Sequence, residues 1–106
     1  MKLMTKEIEK KAQAQYPLGD SMDQKVVAKF FDAGGSWSWF LMNQDPTNPD
    51  YMWGIVSGFE VEMGSFSLSE LQSHHGAFGL GIERDKFFKE MTAKEVWTKL
   101  NNGEHV

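Results

Sequence analysis

The stretch from Trp37 to Asp85 constrains this chain most. It opens with Trp37-Ser38-Trp39-Phe40, continues through Trp53-Gly54-Ile55-Val56-Ser57-Gly58-Phe59-Glu60-Val61-Glu62-Met63-Gly64-Ser65-Phe66-Ser67-Leu68-Ser69-Glu70-Leu71, and closes on Gly79-Leu80-Gly81-Ile82-Glu83-Arg84-Asp85. Aromatic and β-branched residues in runs of four to eight, cut by glycines, are the pattern of short antiparallel strands joined by tight turns. Val26–Phe31, Trp37–Met42, Tyr51–Ser57 and Met63–Phe66 read as four such strands, and Ile82 begins a short edge strand. Ala33-Gly34-Gly35-Ser36 turns the first pair into a hairpin. Residues 43–50 hold two prolines, two aspartates and two asparagines and read as an exposed loop. Gly54 inside the third strand marks a bulge or a close packing point.

Helices flank these strands. Thr5 is a good N-cap with Glu7 in the first turn, and Met4, Ile8 and Ala12 recur every fourth residue as a narrow apolar stripe. Tyr16-Pro17 ends that helix, because a residue before proline avoids the helical region. Ser67-Leu68-Ser69-Glu70 and Thr92-Ala93-Lys94-Glu95 are capping boxes for a short central helix and a last helix. Val96, Leu100 and Trp97 line the last one. The order has no strand–helix–strand alternation, so the expected fold is α+β: one domain over residues 1–106, with a mainly antiparallel sheet of four to five strands and about three helices. A chain of 106 residues that is 41% hydrophobic and carries four Trp and eight Phe can fill one core with few, large side chains.

Charge narrows the function classes. Residues 1–25 carry a net charge of +1, residues 26–82 a net −5 with Lys29 as their one cation, and residues 83–106 a net zero. Duplex nucleic acid needs a basic stripe for counterion release, and none is visible. There is no cysteine, hence no disulfide framework and no thiolate metal site. The N-terminal residues lack an apolar signal core, and no apolar run approaches the ~18 residues of a membrane span. A soluble cytoplasmic protein, with no membrane, metal or cofactor, is the expectation.

Lys29-Phe30-Phe31, Trp37-x-Trp39, Gly58-Phe59-Glu60-x-Glu62-Met63-Gly64-x-Phe66-Ser67-Leu68-Ser69-Glu70-Leu71 and Gly79-Leu80-x-Ile82-Glu83-Arg84-Asp85-x-x-Phe88 together resemble a family of short bacterial proteins classed as a domain of unknown function. Its members resemble cargo of plasmids, phages and integrative conjugative elements. The resemblance spans most of residues 1–88. The family pattern often has proline at the positions of Val61 and Gly81, where this chain departs from it. The resemblance implies a habitat and carries over no catalytic residue.

Five constellations are candidates for function. Glu83-Arg84-Asp85 could present an arginine to an anion, but acids on both sides favour a structural ion pair, with a partner such as Glu60, Glu62 or Glu70. Glu60 and Glu62 could act as paired carboxylates, but solvated turn positions are the better account of them. His74 and His75 are adjacent and so point apart, which disfavours a shared metal. The glycine-rich pieces lack the Lys-Ser/Thr ending of phosphate loops. Trp37, Trp39, Tyr51 and Trp53 lie on strands whose two faces are both apolar. Either helices cover both faces or one face is an aromatic surface for a partner. The leading expectation is a non-enzymatic, acidic, aromatic interaction module with a protein partner, possible binding residues being Trp37, Trp39, Tyr51, Trp53, Glu60, Glu62, Glu83, Arg84 and Asp85. One alternative is a small hydrolase or lyase with Glu60, Glu62, Glu83 and Arg84 in a cleft. The other is single-stranded nucleic-acid binding on the aromatic face, which the local charge of −5 opposes.

Overall fold

The computed structural model describes residues 2–106. Thr5 caps helix α1 (Lys6–Ala14), its hydroxyl oxygen accepting the Ile8 N–H at 3.1 Å, and the chain leaves the helix through a 3-10 turn at Tyr16–Leu18. The Gln15 side chain then clamps that exit: its amide donates to the carbonyls of Lys25 and Met42, and its carbonyl accepts the Lys25 N–H.

Five strands form one antiparallel sheet: β2 (Ala28–Asp32), β3 (Ser38–Gln44), β4 (Tyr51–Ser57), β5 (Val61–Ser67) and β6 (Ile82–Arg84), in the order β5-β4-β3-β2-β6. The first expected strand is divided. β1 (Lys25–Val26) leaves the main sheet and pairs with β7 (Met91–Thr92), just ahead of the last helix. Val27 sits at the division, donating its N–H to Leu41 O at 2.9 Å. The β1–β7 pair joins segments 65 or more residues apart, so no local pattern announces it.

The loop expected from residue 43 starts later. Asn43 and Gln44 extend β3 and are buried at 2% and 0% exposure. Burial of two amides is tolerable only with partners. Asn43 donates to Gly19 O and Gln24 Oε1; Gln44 donates to Pro49 O and accepts from Gln13 Nε2. Gly54 is the close packing point, and the bulge lies in the partner strand β3. Gly54 faces that shift of register, between Leu41 and Asn43, and a Cβ on it would lie 1.9 Å from the Phe40 carbonyl oxygen.

Helices cover both faces of the sheet. α1 and α2 (Leu68–Ser73) lie over a core containing Leu3, Ala12, Ala28, Phe30, Leu41, Met52 and Leu71. α3 (Ala93–Asn101) lies over a second core of Val26, Phe40, Met42, Ile55, Ala93 and Val96. This accounts for apolar residues on both faces of β3 and β4. Both capping boxes form, with Ser67 Oγ accepting Glu70 N–H and Thr92 Oγ1 accepting Glu95 N–H. Asp50 reinforces the first, and hydrogen bonds from Ser67 and then Ser69 hold its carboxyl below the usual range. Val96 is fully buried, whereas Trp97 is only half-buried on the flank of the same core. Among the described residues no helix is long and apolar enough to cross a membrane.

Candidate functional site

Side chains alternate across β2. Ala28 and Phe30 enter the core beneath α1, so Lys29 and Phe31 face the α3 side. There they line a cleft of about 680 Å³ that runs between the β2–β6 edge, Trp37 at the end of the sheet, and residues 104–106 beyond α3. Lys29 is 5% exposed. Its ammonium donates to the backbone oxygen of Val106, lies 4.0 Å from Asp85 Oδ2, and sits 5.8 Å from the centroid of the Phe40 ring. Burial pushes the lysine below its ordinary pKa, and the Asp85 carboxylate pulls the other way. A buried cation with a lowered pKa in a cleft is a site to consider first.

The sequence motif Glu83-Arg84-Asp85 is split by the same alternation. All three residues border the cleft, Glu83 opposite Phe31 and Asp85 beside Lys29. Arg84, opposite Phe30, sends its guanidinium to the other side of the sheet. There Nη1 donates to Lys2 O at 2.7 Å and Leu3 O at 2.9 Å. The expected carboxylate partners Glu60 and Glu62 are out of reach. They belong to the β4–β5 turn and to β5, on the edge opposite β6, four strand spacings or roughly 19 Å away at about 4.8 Å each. The same separation keeps Glu60 and Glu62 from sharing a cleft with Glu83 and Arg84. Glu60 and Glu62 are both exposed.

The four aromatic candidates divide between two ends of the sheet. Trp37 borders the cleft, tilts against Trp39 at 6.1 Å, and meets Phe59 edge-on at 5.4 Å. Gly58 permits that packing, since a Cβ there would lie 2.6 Å from the Trp37 ring. Trp39 continues into the core beneath α1 and α2. Tyr51 and Trp53 lie at the far end of β4, around a depression shared with Tyr16 and Asn43. Trp53 flanks the α3 core, and its indole N–H is buried without a hydrogen-bond partner among the described residues. His74 and His75 diverge, as their adjacency required: His74 Nε2 lies 3.4 Å from Asp32 Oδ2, and His75 Nδ1 lies 2.9 Å from Ser73 O.

Sequence reasoning passed over Lys29 as a site residue. The signal was present: it is the single cation in residues 26–82, set inside the apolar run Val26–Phe31. A lysine in such a run must find an acceptor inside the fold.

A five-stranded antiparallel sheet clad by helices on both faces, with a lysine-floored cleft at one end, defines a small two-sided α+β domain. The chain belongs to the family described as protein of unknown function DUF2958, whose model matches residues 2–105. No curated protein and no solved structure matches it.

Proposed function

We propose that this protein is a non-enzymatic interaction module that engages a protein partner at the cleft end of its sheet. The observation that carries the reading is the exposure of Phe59 and Phe87, at 94% and 91%. Phe59 stands on Trp37, and Phe87 borders the cleft that Trp37 closes. Large aromatic side chains held in water are costly unless a partner covers them, and aromatic anchors around a polar centre are typical of interface hot spots. The sequence resemblance suggests a protein carried on plasmids, phages or conjugative elements, which would make the partner a cytoplasmic host protein.

The alternatives draw less support. Four carboxylate and arginine groups divided between opposite sheet edges do not compose an acid–base pair. Tryptophans packed against cores on both faces offer no continuous stacking platform for bases.

The test is affinity capture from a bacterial lysate with the wild-type chain beside Phe59→Ser and Phe87→Ser. A partner retained by the wild type and lost by both folded variants is the expected result. Equal recovery by all three would reject this surface.

A further inference from the structure

The chain itself shows what kind of group the Lys29 cleft accepts. α3 ends at Asn101 with Asn102 as its C-cap, and Gly103, at φ +76°, turns the chain back. The Glu104 N–H donates to Lys99 O at 2.9 Å, which seats the turn. Residues 104–106 then border the cleft, with Val106 against the α3 core and its backbone oxygen on Lys29 Nζ. Glu104 and His105 are exposed.

We infer that the Lys29 cleft is a binding site for an extended peptide segment, and that residues 104–106 are its occupant in cis. The inference rests on the interaction-module reading for its natural partner, and names that partner's chemistry. The ligand is a peptide stretch that offers Lys29 a carbonyl or carboxylate oxygen and sets a small apolar side chain on the α3 core.

Three features support this. A buried ammonium requires an acceptor, and Asp85 at 4.0 Å is beyond hydrogen-bond distance, so the Val106 oxygen fills that need. The cleft remains open at about 680 Å³ with residues 104–106 in position, so it is larger than they fill. Ser36, Ser38 and Ser57 border the same cleft and bring further hydroxyl donors and acceptors for a backbone. A group presented in cis competes at high effective concentration, so a peptide in trans gains access when the cis segment lifts.

The experiment uses the full chain. Gly103→Val puts a β-branched residue at a positive φ and disfavours the returning turn. Val106→Gly strips the side chain from the apolar seat. The probe is a fluorescein-labelled Gly-Glu-His-Val peptide, tested with a free carboxylate and as the amide, and read by anisotropy. Each variant should bind it at least tenfold more tightly than the wild type, and adding Lys29→Met should remove that gain. A preference for the free acid over the amide would assign the Lys29 contact to a carboxylate, and equal binding to a carbonyl; either supports the site. Lys29 should also become more reactive toward an acylating reagent in both variants, as read by peptide mass spectrometry. If both folded variants fail to bind the peptide, or bind it independently of Lys29, the inference is overturned. Peptide binding without capture of a Phe59-dependent partner would instead leave the cleft assignment standing and reject the module reading.

Discussion

The Lys29 ammonium reaches the backbone oxygen of Val106, 77 residues further along the chain, while the Asp85 carboxylate stands 4.0 Å away on the strand edge. A buried cation is thus shared between a backbone oxygen and a partly hydrated acid. The two members of the Lys29–Asp85 pair are unequally buried, with side-chain exposures of 6% and 29%.

That asymmetry gives opposite expectations for the two single substitutions. Lys29→Met leaves a carboxylate that water can still reach, and should cost no more than about 1 kcal/mol at neutral pH. Asp85→Asn keeps an acceptor for the Phe87 N–H but leaves the buried ammonium without its anion, and should cost about 1–3 kcal/mol. Urea denaturation of both variants checks this. A larger loss for Lys29→Met than for Asp85→Asn would contradict it.

The lowered pKa of Lys29 sets the sign of a pH effect. The unfolded chain holds this proton up to the ordinary value near 10.5, whereas the folded chain releases it earlier. Between those two values the unfolded state binds more protons, so the lysine's contribution to stability rises with pH across that alkaline window. Below the folded value both states are protonated and the contribution is constant. The difference in stability between wild type and Lys29→Met should therefore shift in favour of the wild type as pH climbs toward 10.5. Parallel slopes for the two proteins would show that Lys29 is not the group responsible.

Arg84 acts as an anchor for the N-terminal segment, whose Leu3 is 2% exposed in the first core. Arg84→Ala should cost about 1.5–3 kcal/mol, the worth of hydrogen bonds from a charged donor. Arg84→Lys should restore only part of it, since an ammonium lacks the planar fork. Denaturant melts, with amide exchange at residues 3–5, would measure both. An unchanged midpoint for Arg84→Ala would remove the anchoring role.

Gly54 and Gly64 face each other across β4 and β5 and make a matched pair of probes. A Cβ on Gly54 would meet the Phe40 carbonyl oxygen at 1.9 Å, while one on Gly64 would meet nothing within 4 Å. Gly54→Ala must displace backbone in the middle of the sheet and should cost about 3 kcal/mol or more, whereas Gly64→Ala should stay within about 0.5. Thermal unfolding of the two variants separates them, and similar midpoints would contradict the close approach.

Much of the fold was legible because it rests on local chemistry. Thr5, Ser67 and Thr92 each accept an N–H three residues on, an interaction within one turn that a tetrapeptide can announce. Tyr51–Ser57 was read with the limits that the structure has, because its alternation and flanking turn residues lie side by side. The stripe of Met4, Ile8 and Ala12 faces the sheet as its spacing required. Asn43 and Gln44 were misread as loop because their composition is polar, and partners on Gly19, Gln24, Gln13 and Pro49 make their burial tolerable.

The arrangement around the cleft belongs to the other category. Alternation along β6 implied that Arg84 would part from Glu83 and Asp85, but not which side each would take. Nor did any spacing say that Lys29 would meet residue 106, or that Glu60 and Glu62 would lie on the edge farthest from Glu83. By itself the sequence determined the helix starts, most strands and the acidic, two-sided apolar character of the sheet, because these depend on neighbours within a few residues. Strand order, the β1–β7 pairing and the seat of Lys29 were decided only in the tertiary structure. They depend on which distant segments bury their surfaces together, a choice made by packing and by the need to satisfy buried polar groups across the whole chain.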